Sequence, residues 1–142
     1  MRRSVVLIVL FWAMGLNALA QTQGIMFEPT RSWKKIVEKA RSENKLIFVD
    51  CYADWCGPCK QLASQVFTQK EVGDVFNSHF VNVQFNVEKD ADGKVNVAKW
   101  GVASLPTLVF IDPKTEQVIG KLVGAGDAAW LVNGAKAVLD PA

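Results

Sequence analysis

Apolar residues recur along this chain with a spacing that changes from segment to segment, and each change marks an element. From Ser32, a candidate N-cap, Trp33, Ile36, Val37 and Ala40 fall at helical spacing, which predicts a helix ending near Asn44. Leu46-Ile47-Phe48-Val49 is continuously apolar and continues through Asp50, Cys51 and Tyr52, the pattern of a central strand covered on both faces. Leu62, Val66 and Phe67 predict a second helix, starting near Cys56. Thr68-Gln69-Lys70-Glu71 has the form of a capping box for a third, with Val72, Val75 and Phe76 turned inward. Val81, Val83, Phe85 and Val87 alternate with polar residues, so Phe80 to Val87 reads as a half-buried strand. A polar turn over Asp90 to Gly93 leads to a short helix ending at Trp100. Leu105 to Ile111 and Gln117 to Val123 form a hairpin around Asp112-Pro113-Lys114-Thr115. Asp127 caps a last helix carrying Leu131, Val132, Ala135, Val138 and Leu139. This order predicts an α/β fold, a central mixed sheet with helices on both faces and a closing antiparallel hairpin.

The first twenty residues stand apart from that pattern. Met1-Arg2-Arg3 is basic, Val5 to Leu16 is almost uninterruptedly apolar, and Ala18-Leu19-Ala20 supplies small residues at both A-x-A positions. These are the three parts of a secretory signal peptide, with cleavage expected between Ala20 and Gln21. The apolar run is shorter than the ~20 residues that span a bilayer, which disfavours a retained anchor. Gln21, not a cysteine, stands directly after the cut, so the simplest lipid anchor is not expected. Residues 21–142 then form one domain, since about 120 residues suit a single hydrophobic core.

Charge narrows the partners. The chain has 16 basic and 14 acidic residues, and Arg2 and Arg3 leave with the leader. A near-neutral domain lacks the basic excess that nucleic acid or anionic lipid attracts. Export places any dithiol where disulfides form and persist, beyond cytosolic glutathione. The periplasm of a bacterial envelope is the expected compartment.

Chemistry concentrates in Trp55-Cys56-Gly57-Pro58-Cys59-Lys60. Two thiols three residues apart at a strand-to-helix junction can close and reopen a disulfide, exchanging two electrons without a bound cofactor. The attacking species is the thiolate, and an ordinary cysteine, pKa about 8.5, is only slightly ionised near neutrality. A helix start favours negative charge, so Cys56 is expected as the exposed nucleophile and Cys59 as the buried resolving thiol. Pro58 loses no hydrogen bond in a first helical turn and stiffens the loop between the sulfurs. Zinc would need further ligands, and Cys51 and His79 form no ligand-like pair with the motif. A purely structural bridge is also a poor reading, because so short a loop constrains little of the unfolded chain.

The segment Val49-Asp50-Cys51-Tyr52-Ala53-Asp54-Trp55-Cys56-Gly57-Pro58-Cys59-Lys60 closely resembles the active-site segment of the thioredoxin family. Ser104-Leu105-Pro106-Thr107 is similar to that family's second signature, and Val123-Gly124-Ala125 to its glycine-containing loop. Tyr52 to Cys56 further resembles the thioredoxin-like domains of bacterial exported thiol reductases. The resemblance implies a cis peptide at Pro106 and a client groove built from Trp55, Gly57, Pro58, Leu105, Pro106 and Gly124. It also places an acid at Asp50, where burial at the end of an apolar strand raises the pKa and makes a proton acceptor for Cys59. Gln84 stands where cytosolic thioredoxins carry a lysine near that acid, and residues 88–94 are longer and more polar than the family's turn. Cys51, one step from Asp50 along the strand, points to the other face and reads as apolar filling; His79 reads as surface.

The expected activity is an exported thiol–disulfide oxidoreductase that reduces client protein disulfides through Cys56 and Cys59. It would act as a monomer, with no metal, supplied with electrons by a membrane thiol transporter. The reverse direction, oxidase or isomerase, uses the same residues. A soft-metal carrier holding Cu(I) on the dithiol is the remaining alternative, although no Met- or His-rich segment accompanies the cysteines.

Overall fold

A computed structural model describes residues 24–142, so the leader expected over residues 1–20 lies outside the described residues. The elements run α1 (Trp33–Glu43), β1 (Leu46–Tyr52), α2 (Gly57–Gln61), a π-helical turn (Leu62–Val66) and α3 (Lys70–His79). They continue through β2 (Phe80–Asn86), α4 (Ala91–Lys99), β3 (Thr107–Asp112), β4 (Gln117–Val123) and α5 (Ala128–Leu139). The sheet order is β2-β1-β3-β4, with β1 and β2 parallel and the other two pairings antiparallel. This is the mixed sheet predicted from the pattern.

The strand alternation of β1 divides the interior in two. Ile47, Val49 and Cys51 face one core with Val81, Val83 and Phe85, covered by Trp33, Ile36 and Val37 of α1 and by Trp100. Phe48 faces the other, with Phe80, Phe110, Leu62, Phe76 and Leu131. There Phe48 meets Phe76 edge to face at 4.6 Å and Phe110 at 5.4 Å, arrangements that aromatic quadrupoles favour. Asp50 shares the Phe48 side of the strand, which is the side α2 covers.

Several local expectations need correction. Polar positions of β2 do not face water: Asn82 and Asn86 are buried and Gln84 is half-buried. Gln84 and Asn86 are engaged by Asp50 and Asp54, and Asn82 by an N-terminal strap beside this strand. Phe27 bridges Asn82 in parallel, and the Asn82 amide donates to Met26 O and Phe76 O. The strap lies tight against α3, because a Cβ on Gly73 would strike the backbone of Gly24. The strand also stops at Asn86, short of Val87.

Thr68 caps nothing. The N-cap of α3 is Gln69 without a side-chain bond, while Thr68 Oγ1 donates to Ser64 O at 3.0 Å. That bond, with Ser64 Oγ to Lys60 O, occupies carbonyls around the π-helical turn that interrupts the expected continuous helix. Ser32 sits at the N-cap of α1, yet Asp92 supplies the cap from across the fold, accepting from Trp33 N at 2.6 Å. Asp90 is the N-cap of α4, so the turn predicted there is the helix start, and β3 begins only after Pro106. Asn44 ends α1 in the left-handed region (φ 52°), and Asp127 caps α5 by accepting from Trp130 N, both as predicted.

Candidate active site

β1 ends at Tyr52 and the chain turns through Ala53 to Trp55 into α2. Cys56 is the N-cap of that helix, in extended conformation, and Pro58 lies in the first turn, where an N–H has no helical partner to lose. The two cysteines are joined by a disulfide across the intervening Gly57-Pro58. Cys56 Sγ accepts from Cys59 N at 3.2 Å. The sulfur thus takes the place of a capping oxygen, satisfying an amide that a helix start leaves free.

The expectation of an exposed Cys56 is not met in this oxidised form. Cys56 is 2% and Cys59 4% exposed, so burial does not distinguish them. Position does. Cys56 receives the amide at the helix start, and Cys59 lies inside the first turn. In the bridged form Cys56 Sγ rests on the helix end, bonded to the Cys59 amide.

Asp50 is 2% exposed. Its Oδ2 accepts from Gln84 Nε2 at 3.0 Å, and its Oδ1 is buried without a hydrogen-bond partner among the described residues. Burial therefore pushes its carboxyl up to about 6, against a smaller opposing pull from the Gln84 amide. A cleft of about 400 Å³ connects this carboxyl to Cys59, with Tyr52, Lys60 and Gln84 also on its walls. Cys51 faces away into the opposite core, fully buried, and desolvation with the neighbouring Asp50 charge raises its thiol. His79 is exposed beside the start of β2, at the end of the parallel pair remote from Cys56. The structure keeps both residues away from the dithiol, as a shared metal site would not.

Two of the predicted groove segments meet each other, at Pro106 and Gly124. The Leu105–Pro106 peptide is cis. Pro106 is buried and Leu105 half-buried. Pro106 O accepts from Gly124 N at 2.9 Å, which ties the third segment to the second. Gly124 has φ +90°, a conformation that disfavours any side chain although space around it is open. Gly57, by contrast, has no neighbour that a Cβ would meet, so nothing steric demands glycine there. Trp55 is 68% exposed and is no core tryptophan.

Sequence reasoning missed the groups that hold the Trp55 side of the site. Glu88 Oε1 accepts from Trp55 Nε1 at 2.8 Å. Asn86 Nδ2 donates to Asp54 Oδ1 at 2.8 Å, while Asn86 Oδ1 accepts from the amides of Glu88 and Lys89. Lys89 pairs with Asp54, and its hydrogen bond holds that carboxyl below the usual range. The polar length of residues 88–94 was the only signal of this network in the sequence.

Known proteins agree with the geometry. The thioredoxin family profile matches residues 25–137. The chain is 37% identical over 97 residues to Thioredoxin H4 of Arabidopsis thaliana, covering 66% of this chain and 71% of that one. A stretch of 101 residues is 29% identical to the thiol:disulfide interchange protein DsbD of Haemophilus influenzae, covering 70% of this chain but 17% of that larger protein. Among solved structures, a proposed disulphide-isomerase from Bacteroides thetaiotaomicron is 40% identical, with a TM-score of 0.73 over 85% of this chain and 98% of that one. With the fold, the bridged Cys-Gly-Pro-Cys motif and these relatives in accord, the chain belongs to the thioredoxin family and is a thiol–disulfide oxidoreductase whose redox pair is Cys56–Cys59.

Proposed function

We propose that this oxidoreductase is exported and works as a reductant of client protein disulfides. The observation that carries the reading is the capped sulfur. Cys56 Sγ already accepts the Cys59 amide, and the same amide stabilises a Cys56 thiolate once the bridge is opened. That thiolate attacks a client disulfide, forming a mixed disulfide and expelling one client thiolate. Cys59 then gives its proton to Asp50 and attacks Cys56 Sγ. The intramolecular bridge reforms, the second client thiolate leaves and takes a proton from solvent, and two electrons have passed to the client. Pro106, which has no N–H, and the Gly124 amide bonded to it leave the Leu105 backbone as the edge along which an extended client pairs. Trp55, Gly57 and Pro58 form the opposite wall.

The basic start and apolar run of residues 1–20, with the similarity to a thiol:disulfide interchange protein, support export to a bacterial periplasm. Residues 21–142 are then the mature domain. A periplasmic reductant needs electrons from the cytosolic side, which makes a membrane thiol transporter the fitting donor. The Gly57-Pro58 pair supports the reducing direction. The 40% identity with a proposed disulphide-isomerase favours isomerisation as the second reading. Equilibration of the purified domain with glutathione separates them. A potential near about −270 mV is expected of a reductant, and one between about −180 and −120 mV assigns an isomerase or oxidant instead.

A further inference from the structure

Gln84 shares a wall of the cleft with Cys59 and Asp50, and it is the register partner of Asp50 across the parallel β1–β2 pair. Side chains at paired positions stand on the same face of a sheet, so the amide reaches the carboxyl directly. The contact uses one oxygen only: Nε2 donates to Oδ2, and Oδ1 is left buried with no partner among the described residues. We propose that Gln84 is a positioning residue, which pins Oδ2 and thereby makes Oδ1 the oxygen that takes the Cys59 proton during resolution. This rests on the proposed role of Asp50 as proton acceptor and assigns the part of its surroundings that makes it one.

An amide suits the task in both protonation states. Oδ2 accepts from Nε2 when the carboxylate is ionised, and it still accepts as the carbonyl oxygen of the neutral acid. The carboxyl therefore keeps its orientation through the whole proton cycle. An amide also adds no net charge, so it does not hold Asp50 ionised as a cation in contact would. The ionisable groups lining the cleft with Asp50 are Cys59, Tyr52, Asp54 and Lys60. Asp54 is engaged by Lys89, and Cys51 adjoins Asp50 only from the opposite face. Burial is the larger influence on the Asp50 carboxyl and raises it, and the Gln84 hydrogen bond opposes that rise.

Gln84→Met keeps the length of the side chain and removes the donor. The Asp50 carboxyl is followed by NMR titration of the reduced domain, and attack and resolution are timed separately by stopped flow with a disulfide peptide. Loss of one hydrogen bond to a charged group should raise the Asp50 midpoint by about one pH unit. At a pH equal to the wild-type midpoint that leaves ~10% rather than ~50% of the carboxyl ionised, so resolution slows about fivefold while first attack is unchanged. Gln84→Lys restores a donor and adds a charge. Its midpoint should fall below that of the wild type, and resolution at the same pH should recover. An unchanged midpoint and unchanged resolution in Gln84→Met overturn the proposal. Asp50→Asn run alongside separates the two levels. If it resolves as fast as wild type, the proton-acceptor role fails and the Gln84 role with it. If it is slow and Gln84→Met is not, only the positioning role is lost.

Discussion

Cys56→Ser loses disulfide reduction to background, whereas Cys59→Ser still attacks and accumulates a covalent adduct with its client. The asymmetry follows from the helix start. A thiolate is the nucleophile, and only Cys56 occupies the N-cap, with its sulfur on the Cys59 amide. A hydroxyl at residue 56 is not ionised near neutrality and cannot attack a disulfide. A hydroxyl at residue 59 leaves the first exchange intact and blocks the second, so the mixed disulfide persists. Non-reducing gels followed by mass spectrometry read this directly. Adducts on Cys59→Ser that dithiothreitol releases fit the assigned order of attack. Adducts forming instead on Cys56→Ser, through Cys59, would reverse it.

Asp50→Asn produces two large effects of opposite sign, on stability and on turnover. The carboxyl titrates at about 6 in the folded chain against 3.8 when free. The folded state therefore holds a proton that the unfolded state has already released between those pH values. Stability contributed by the neutral acid is full below pH ~4 and is lost as pH rises through ~6, because the ionised group stays buried, with no partner for Oδ1 among the described residues. That gap corresponds to about 3 kcal/mol at pH 8. An asparagine of the same shape carries no charge, so the variant should be more stable than wild type by up to that amount at pH 8 and nearly equal to it at pH 4. Urea unfolding at the two pH values measures the difference. Resolution of the mixed disulfide should slow in the same variant and lose the limb that rises through pH ~6. Equal slowing of attack and resolution would remove Asp50 from the mechanism. A buried acid that weakens the fold at neutral pH makes sense where its proton is used.

Much of the fold was legible because the interior is apolar in regular periods. Leu46 to Val49 could only be a covered strand, and placing Asp50 at its end located the acid before any geometry was known. Alternation correctly set Cys51 on the far face. What escaped were polar residues recruited by partners distant in sequence. Asn82 looks like the wet face of a strand, but its amide serves the strap at Met26. Asp92 looks like part of a turn, yet it caps α1 from 59 residues away. Thr68 matches a capping box by spacing and bonds backwards to Ser64 instead. Local pattern cannot show such pairings, because each is decided by where tertiary packing leaves an unpaired backbone group.

What was legible of the candidate site lay where chemistry restricts residue type: the Cys56–Cys59 bridge, the cis bond at Pro106 and the burial of Asp50. The frame of the site was not legible. Glu88 and Asn86 hold Trp55 and Asp54 by single hydrogen bonds that many other polar residues could have made. The burial of Cys56 was not legible either, because a helix start in the sequence does not show what packs over it.

The most direct test of the account is the ionisation of Cys56 in the reduced domain, followed by thiolate absorbance near 240 nm or by the pH dependence of alkylation. A sulfur capped by the Cys59 amide at a helix start should ionise at least about one pH unit below the 8.5 or so of a free cysteine. Cys59 should remain protonated through the same range. If Cys56 titrates like free cysteine, the capped-sulfur origin of its reactivity is wrong.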